Sequence, residues 1–172
     1  MNSEIKIDDW RAALIQIAHT LNTNNIDYKV VGGTVAALYG ISTPIKDIDI
    51  ELSAEDSYRF QELFADYIVE PVSLSDNGEH RSHYGKFMIK GIPVDIMGDP
   101  HRRSENLWVP AYTLTLAILK LNAIDIMAPW LEEETLAYIR RGKMERAGLC
   151  LPHCNQTRLL ALLQGKQLTN VI

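Results

Sequence analysis

Residues 30–52 read VVGGTVAALYGISTPIKDIDIEL, and this stretch decides the fold. It contains a short apolar run, the pair Gly32-Gly33, a helix-like segment ended by Gly40, and a second apolar run that alternates with acids. Glycines between a strand and a helix let the backbone approach a phosphate closely, and the start of the helix presents free N–H groups. Gly32 and Gly33, together with the hydroxyl of Thr34, therefore predict a turn that binds a triphosphate.

Two aspartates lie in the alternating run, and a third lies farther along the chain. Asp47 and Asp49 are separated by one residue, so on a strand both carboxylates point to the same face. Such neighbouring like charges repel each other unless a cation lies between them, and Mg²⁺ commonly combines one or two carboxylates with substrate phosphates. The segment GIPVDIM at residues 91–97 places Asp95 on another predicted strand. If the two strands pair, the three carboxylates form the acidic cluster that metal-dependent phosphoryl transfer requires.

These two segments resemble the signature of the nucleotidyltransferase superfamily that includes DNA polymerase beta. They are most similar to the small bacterial lincosamide and aminoglycoside nucleotidyltransferases and to the toxin-like nucleotidyltransferases of abortive-infection systems. The resemblance covers about residues 28–97. It implies an α+β nucleotidyltransferase fold, in which a small mixed β-sheet is flanked by helices. It also implies that the glycine pair holds the triphosphate, that Asp47 and Asp49 bind the metal, and that Asp95 is a third metal-site acid that helps to deprotonate the acceptor hydroxyl.

The function implied by the resemblance is a Mg²⁺-dependent transfer of a nucleoside monophosphate from a nucleoside triphosphate, such as ATP, to an acceptor hydroxyl, with release of pyrophosphate. Lys46, directly before the first aspartate, and Lys120, near a lysine found in relatives, are further candidate nucleotide ligands. The acceptor stays open between a small molecule such as an antibiotic, a protein and an RNA.

Two other hypotheses remain at this stage. Relatives often carry Arg and Thr at the positions that here hold Thr43 and Ile45. Because of this departure, a non-catalytic nucleotide-binding or protein-interaction module on the same fold remains the alternative to an enzyme. A helical adaptor, in which the acidic strand has no function, would require Asp95 to lie far from Asp47.

The rest of the sequence predicts an α/β half followed by a helical half. We expect residues 1–105 to form the nucleotidyltransferase core and residues 106–172 to form a helical C-terminal part packed on it. The predicted helices cover residues 10–21, 34–39, 53–65, 111–127, 131–146 and 156–163. The predicted strands cover residues 28–31, 46–52, 67–74, 85–89 and 92–97, with a polar loop at 75–82.

Composition limits the partners. The 172-residue chain has a formal net charge of −5 and a pI of about 5.5, which disfavours binding of a long nucleic acid through a broad basic surface. The first ten residues, MNSEIKIDDW, lack the apolar centre of a signal peptide, and no apolar run approaches the roughly 20 residues of a membrane span. We therefore expect a cytoplasmic protein with no membrane partner. The sequence leaves the oligomeric state open.

Several other residues have both a functional and an ordinary interpretation. Cys150, His153 and Cys154 suggest part of a zinc site, but a structural zinc needs four ligands, so a cysteine-containing loop is the favoured interpretation. Basic residues could line the acceptor pocket or lie on solvated loops, and aromatic residues could stack on a base or pack in the core. The basic residues are His80, Arg81, His83, Lys86, His101, Arg102 and Arg103; the aromatic residues are Trp108, Tyr112 and Trp130.

Overall fold

The computed structural model describes residues 9–111 and 116–165. Helices and strands alternate in its first half, and a hairpin and three helices complete it. In chain order the elements are α1 (Asp9–Thr23), β1 (Tyr28–Val31), α2 (Gly33–Leu38), β2 (Ile48–Leu52), α3 (Ala54–Leu63), β3 (Ile68–Asp76), β4 (His80–Ile89), β5 (Ile92–Ser104), β6 (Leu107–Pro110), β7 (Leu116–Leu121), β8 (Ile124–Pro129), α4 (Leu131–Arg140), α5 (Met144–Cys150) and α6 (Gln156–Leu163).

The main sheet is mixed, and its strand order is β1-β2-β5-β4-β3, with β6 added to the far end of β5. Strand β2 is antiparallel to β1 and parallel to β5, whereas β5, β4 and β3 are joined by antiparallel pairings. The β4–β5 hairpin turns at Lys90-Gly91, and both residues have positive φ, as a two-residue hairpin turn requires. The predicted α+β class with a small mixed sheet is confirmed.

One face of the sheet carries the main apolar core. Alternate residues of β2 and β5, including Ile48, Ile50, Val94 and Ile96, are fully buried against α1 and α3. Helix α3 begins with a side-chain cap, because the Ser53 hydroxyl accepts a hydrogen bond from the Asp56 backbone N–H at 3.0 Å. The opposite face of β2 and β5 therefore remains available for polar side chains.

The predicted helix at residues 111–127 is wrong where the structure describes it. Residues 116–129 form the β7–β8 hairpin, which turns at Asn122 and Ala123 with φ of 48° and 64°. Alternate residues such as Ile126 and Ala128 are buried, and Ile126 joins the main core. A strand was missed because a dense apolar run fits both helical and alternating periodicity, and tertiary packing decides between them. The predicted domain division at residue 105 stays a prediction.

Two smaller predictions also need correction. The polar loop expected at residues 75–82 is mostly strand: β3 continues to Asp76 and β4 starts at His80, so only three residues form the turn. Charged and polar residues suggested a loop because both strands are largely solvent-exposed here. The helix expected at residues 131–146 is divided into α4 and α5 by Gly142, whose φ of 69° ends the first helix.

A second apolar cluster attaches the C-terminal helices to the sheet. Ala36 of α2 and the nearby Ile41 are buried together with Leu131 and Tyr138 of α4 and with residues of α5. This packing holds the turn between α4 and α5 beside the polar face of β2. Among residues 9–111 and 116–165, no helix is both long and apolar enough to span a membrane.

Candidate active site

The glycine turn between β1 and α2 lies directly against a predicted metal ligand. Gly32 has a φ of 73°, and a Cβ added there would clash with Oδ2 of Asp49. Both observations require glycine at this position. The Thr34 side chain is fully buried, and its hydroxyl donates a hydrogen bond to the Asp47 carbonyl oxygen at 3.2 Å. In this structure Thr34 thus connects the turn to the segment before β2.

The structure brings the predicted aspartates together. In the parallel pairing of β2 and β5, Asp49 lies opposite Asp95, on the face away from the apolar core. Burial, followed by the charges of Asp47 and Asp95, raises the pKa of Asp49 to about 7, while Lys143 and Arg141 oppose the shift. The carboxylates are therefore close enough to interact electrostatically. The adaptor hypothesis, which required Asp95 to lie apart from this cluster, is not supported.

This cluster has the donor chemistry of a divalent-cation site. Its donors are carboxylate oxygens, and the repulsion among them, which adds to burial in raising the Asp49 pKa, is relieved when a cation lies between them. Within residues 9–111 and 116–165, no group of three or more Asp, Glu, His and Cys side chains is arranged to hold a metal ion. Mg²⁺ usually completes its coordination with water and substrate phosphates, so one or two of these carboxylates suffice on the protein side. The residues fit a magnesium ion bound together with the nucleotide.

Tyr84 is a site residue that sequence reasoning missed. Its hydroxyl donates a hydrogen bond to Oδ2 of Asp95 at 2.7 Å across the β4–β5 pairing. Burial and this bond to the Asp95 carboxylate raise the pKa of Tyr84 well above its usual value, so Tyr84 remains a donor. Tyr84 was missed because it lies between the predicted loop at residues 75–82 and the predicted strand at residues 85–89, where no local pattern indicates a contact with Asp95.

A buried glutamate of α4 accepts a hydrogen bond from the backbone of the glycine turn. Glu134 of α4 is 1% exposed, and burial raises its pKa to about 7, although Arg141 and a hydrogen bond from the Gly32 backbone oppose the shift. Its Oε1 has no hydrogen-bond partner among the described residues. In the sequence, Glu134 belongs to a run of three glutamates that resembles the ordinary acidic first turn of a helix.

Three cationic side chains from the C-terminal helical part lie near the glycine turn and Asp49. A Cβ added to Gly33 would lie 3.2 Å from Nη1 of Arg146, so the guanidinium of this α5 residue lies beside the turn. Arg141 and Lys143, between α4 and α5, lie near enough to Asp49 to favour its ionised form. None of these three residues was predicted, because no local pattern shows that α4 and α5 fold back over β2.

A cavity of about 440 Å³ opens along the polar face of the sheet. One end is formed by β1 and β2 with the turn between α4 and α5, and the other end by β3, β4, β5 and the residues after β6. The lining residues are Val31, Asp49, Glu51, Ser75, Asn77, His80, Arg81, Ser82, Tyr84, Met97, Pro100, His101, Arg102, Ala111, Arg141 and Lys143.

The two predicted nucleotide-binding lysines are not among the residues that line this cavity. Lys46 is exposed on the segment before β2. Lys120 lies on β7, where its ammonium group forms a 2.5 Å ion pair with Asp125 at the exposed edge of the hairpin. Four of the basic candidates do line the cavity, namely His80, Arg81, His101 and Arg102.

The remaining basic and aromatic candidates have other contacts. His83 shares a hydrogen bond of 3.0 Å with the Tyr58 hydroxyl of α3, and Lys86 forms a 3.3 Å ion pair with Glu70. The ring of Trp108 lies beneath the Arg81 guanidinium, and that of Trp130 beneath the Arg158 guanidinium. Tyr112 lies outside the described residues.

The two cysteines lie close to α4. Cys150 is buried, and the Cys154 sulfur lies 3.3 Å from the Thr135 hydroxyl. Neither forms a disulfide within the described residues. Of the described His, Cys, Asp and Glu side chains, no group of three is arranged to hold a metal ion here, so the zinc interpretation receives no support.

Several solved structures share this fold. A Thermotoga maritima protein assigned to the nucleotidyltransferases matches with a TM-score of 0.75 and 28% identity, over 84% of this chain and 92% of its own. ANT(2'')-Ia in complex with adenylyl-2''-tobramycin matches with a TM-score of 0.60 and 10% identity, over 91% and 95%. The lincomycin-bound lincosamide antibiotic adenylyltransferase LnuA matches with a TM-score of 0.52 and 16% identity, over 73% and 83%. No match to a curated protein was found.

The mixed sheet, which joins the aspartates of two parallel strands below a glycine turn, has the nucleotidyltransferase fold, and with the family match that follows, it makes this protein a nucleotidyltransferase, which is an enzyme. The model of the aminoglycoside-2''-adenylyltransferase family matches residues 13–135. Because this match spans most of the chain, the chain belongs to that family.

Proposed function

We propose that this enzyme transfers a nucleoside monophosphate from a nucleoside triphosphate to the hydroxyl group of a small molecule, with Mg²⁺ as cofactor. The pairing of Asp49 with Asp95 beside the cavity carries the proposal. A cavity of about 440 Å³ is in the size range of small-molecule sites, which favours a small acceptor over a protein or an RNA. Because the named relatives are adenylyltransferases, we expect ATP to be the donor.

In the proposed reaction, the acceptor hydroxyl oxygen forms a bond with the α-phosphorus and the bond between the α-phosphorus and the bridging oxygen breaks. Pyrophosphate leaves, and the hydroxyl proton passes to Asp95. The hydrogen bond from Tyr84 occupies Oδ2 of Asp95, so we assign the proton to Oδ1. Asp47 and Asp49 would hold Mg²⁺, which neutralises phosphate charge and steadies the leaving group.

The triphosphate is assigned to the end of the site formed by the glycine turn. The absence of side chains at Gly32 and Gly33 permits close approach, and the Arg146 guanidinium beside Gly33 supplies a positive charge. Lys143, near Asp49, would contact the phosphates from the opposite wall. This assignment leaves the β4–β5 end of the cavity for the acceptor.

The proposal is tested by incubating the purified protein with Mg²⁺, α-labelled nucleoside triphosphates and a panel of hydroxyl-bearing small molecules. We expect labelled product and pyrophosphate with one nucleotide, and loss of both in Asp49→Asn. Glu62→Gln, which alters an exposed carboxylate of α3, is the matched control and should retain activity. Nucleotide binding without any pyrophosphate release would instead favour the non-catalytic module, and undiminished turnover by Asp49→Asn would refute the assignment.

A further inference from the structure

The acceptor end of the cavity carries positive charge, in contrast to the chain as a whole. The protein has a net charge of −5, yet two arginines and two histidines line the β4–β5 end of this cavity, namely Arg81, Arg102, His80 and His101. Two further cations, Arg141 and Lys143, line the opposite end. Acids outnumber bases in the whole sequence. The excess of cations in this cavity wall therefore comes from where the fold places these residues.

The acids that line the cavity are confined to β2. Asp49 belongs to the aspartate cluster, and Glu51 forms a 2.8 Å ion pair with Lys29. None of the other described residues lining the cavity is an acid. Apart from Asp95, the proposed base, no described residue that lines the β4–β5 end offers a free carboxylate to the ammonium groups of a cationic acceptor.

Arg102 is the cation best placed to contact an acceptor. The other arginine at this end, Arg81, is held by Asp76 through hydrogen bonds of 3.0 and 2.7 Å from Nε and Nη2. Among the residues that the structure describes, Arg102 forms no ion pair, and it faces the cavity from β5 opposite His80 of β4. Asn77 of the β3–β4 turn, which also lines the cavity, adds an amide group nearby.

We propose that the acceptor carries an anionic group, a phosphate or a carboxylate, bound by Arg102 at the β4–β5 end of the cavity. This inference rests on the proposed function, because it names the chemical class of that reaction's acceptor. An arginine fork binds either anion through paired, charge-assisted hydrogen bonds. A polycationic aminoglycoside would instead meet the like charge of Arg102 at this end of the cavity.

Arg103 offers a matched control for Arg102. The two residues are neighbours on β5, but only Arg102 lines the cavity. Arg102→Gln and Arg103→Gln remove the same charge from adjacent positions. A general effect of lowering the protein's positive charge would appear equally in both variants.

The experiment measures binding of inorganic phosphate to the protein preloaded with Mg²⁺ and a non-hydrolysable ATP analogue, so that the donor site is filled. We expect phosphate to bind, Arg102→Gln to weaken this binding by about tenfold or more, and Arg103→Gln to change it by less than about twofold. Affinity for the ATP analogue should be the same in all three proteins. Tobramycin, the polycationic probe, should bind the preloaded protein more weakly than phosphate.

Four results would overturn the inference: no phosphate binding to the preloaded protein, equal weakening in both variants, weakened nucleotide binding in Arg102→Gln, or tighter binding of tobramycin than of phosphate. The third result would assign Arg102 to the triphosphate instead. The binding measurement requires no turnover. Failure of the anion site is therefore distinguished from failure of the proposed transfer reaction, which is detected by the absence of pyrophosphate release.

Discussion

The two walls of the active site differ in how the chain builds them. The sheet wall consists of the glycine turn, β2 and β5, and its key contacts are fixed by local spacing and strand register. The helical wall consists of Glu134, Arg141, Lys143 and Arg146, which reach the site only because α4 and α5 pack on α2. The sheet wall carries the groups that we assign to chemistry, and the helical wall carries groups that hold the turn and balance charge. Substitutions in the two walls should therefore differ in size and in kind.

The largest effect is expected from Gly32→Ala in the sheet wall. The new Cβ would clash with Asp49 at a backbone φ that disfavours alanine, so both the turn and this proposed metal ligand must shift. We expect transfer to fall by more than about a hundredfold, because small displacements of reacting groups have such costs. The measurement is the initial rate of pyrophosphate release.

Gly40→Ala is the control for backbone strain alone. Gly40 has a similar φ of 82°, but a Cβ there meets no atom within 4 Å. This variant should lose about 1 kcal/mol of stability and keep its rate of transfer. Equal loss of activity in the two variants would mean that strain, and not the contact with Asp49, explains the effect of Gly32→Ala.

Tyr84→Phe should have the next largest effect. Removal of the hydroxyl deprives Oδ2 of Asp95 of its 2.7 Å hydrogen bond, so the carboxylate is less firmly oriented. We expect kcat to fall by about tenfold, while KM for the nucleotide changes little. Tyr58→Phe, which removes a similar hydroxyl bonded to His83 of β4, is the control. A change confined to nucleotide KM would contradict the role given to Tyr84.

The difference between the walls also explains what the sequence could predict. The hairpin turn at Lys90-Gly91 and the position of Asp49 on the polar face of its strand follow from turn chemistry and alternation, which are local signals. The pairing that sets Asp49 against Asp95 was only a condition of the prediction, because it joins strands that are distant in the sequence. The β7–β8 hairpin was missed because its apolar residues are too dense for periodicity to separate strand from helix. The helical wall was missed because Glu134 and Arg146 acquire their surroundings only through tertiary packing.

In the helical wall, Glu134→Gln should change stability in a pH-dependent way. Burial raises the Glu134 pKa to about 7, so the wild-type carboxyl is largely neutral at pH 6 and ionised in a buried environment at pH 8.5. Its contribution to stability is complete below its ordinary pKa and is lost as pH rises through about 7. The free energy of unfolding of Glu134→Gln, relative to the wild type, should therefore be higher at pH 8.5 than at pH 6.

Urea denaturation of the metal-free protein at the two pH values provides the measurement, and we expect a relative gain on the order of 1–2 kcal/mol. Glu145→Gln, on the exposed surface of α5, should show no such pH dependence. A relative gain that is larger at pH 6 would show that the Glu134 carboxyl is stabilised in its ionised form, contrary to the burial argument.

The smallest effect is expected from Lys143→Ala in the helical wall. It is compared with Lys120→Ala, because Lys120 was predicted from the sequence to bind the nucleotide. Lys143→Ala should raise KM for the nucleotide by several-fold, because Lys143 lines the cavity and lies near Asp49. Lys120→Ala should leave that KM within about twofold and cost less than about 1 kcal/mol of stability, since it breaks only an exposed ion pair with Asp125. Steady-state kinetics with saturating acceptor measures the nucleotide KM of both variants. If Lys120→Ala had the larger effect on KM, the β7–β8 hairpin would have to approach the nucleotide during catalysis, and the helical wall would lose its assigned role.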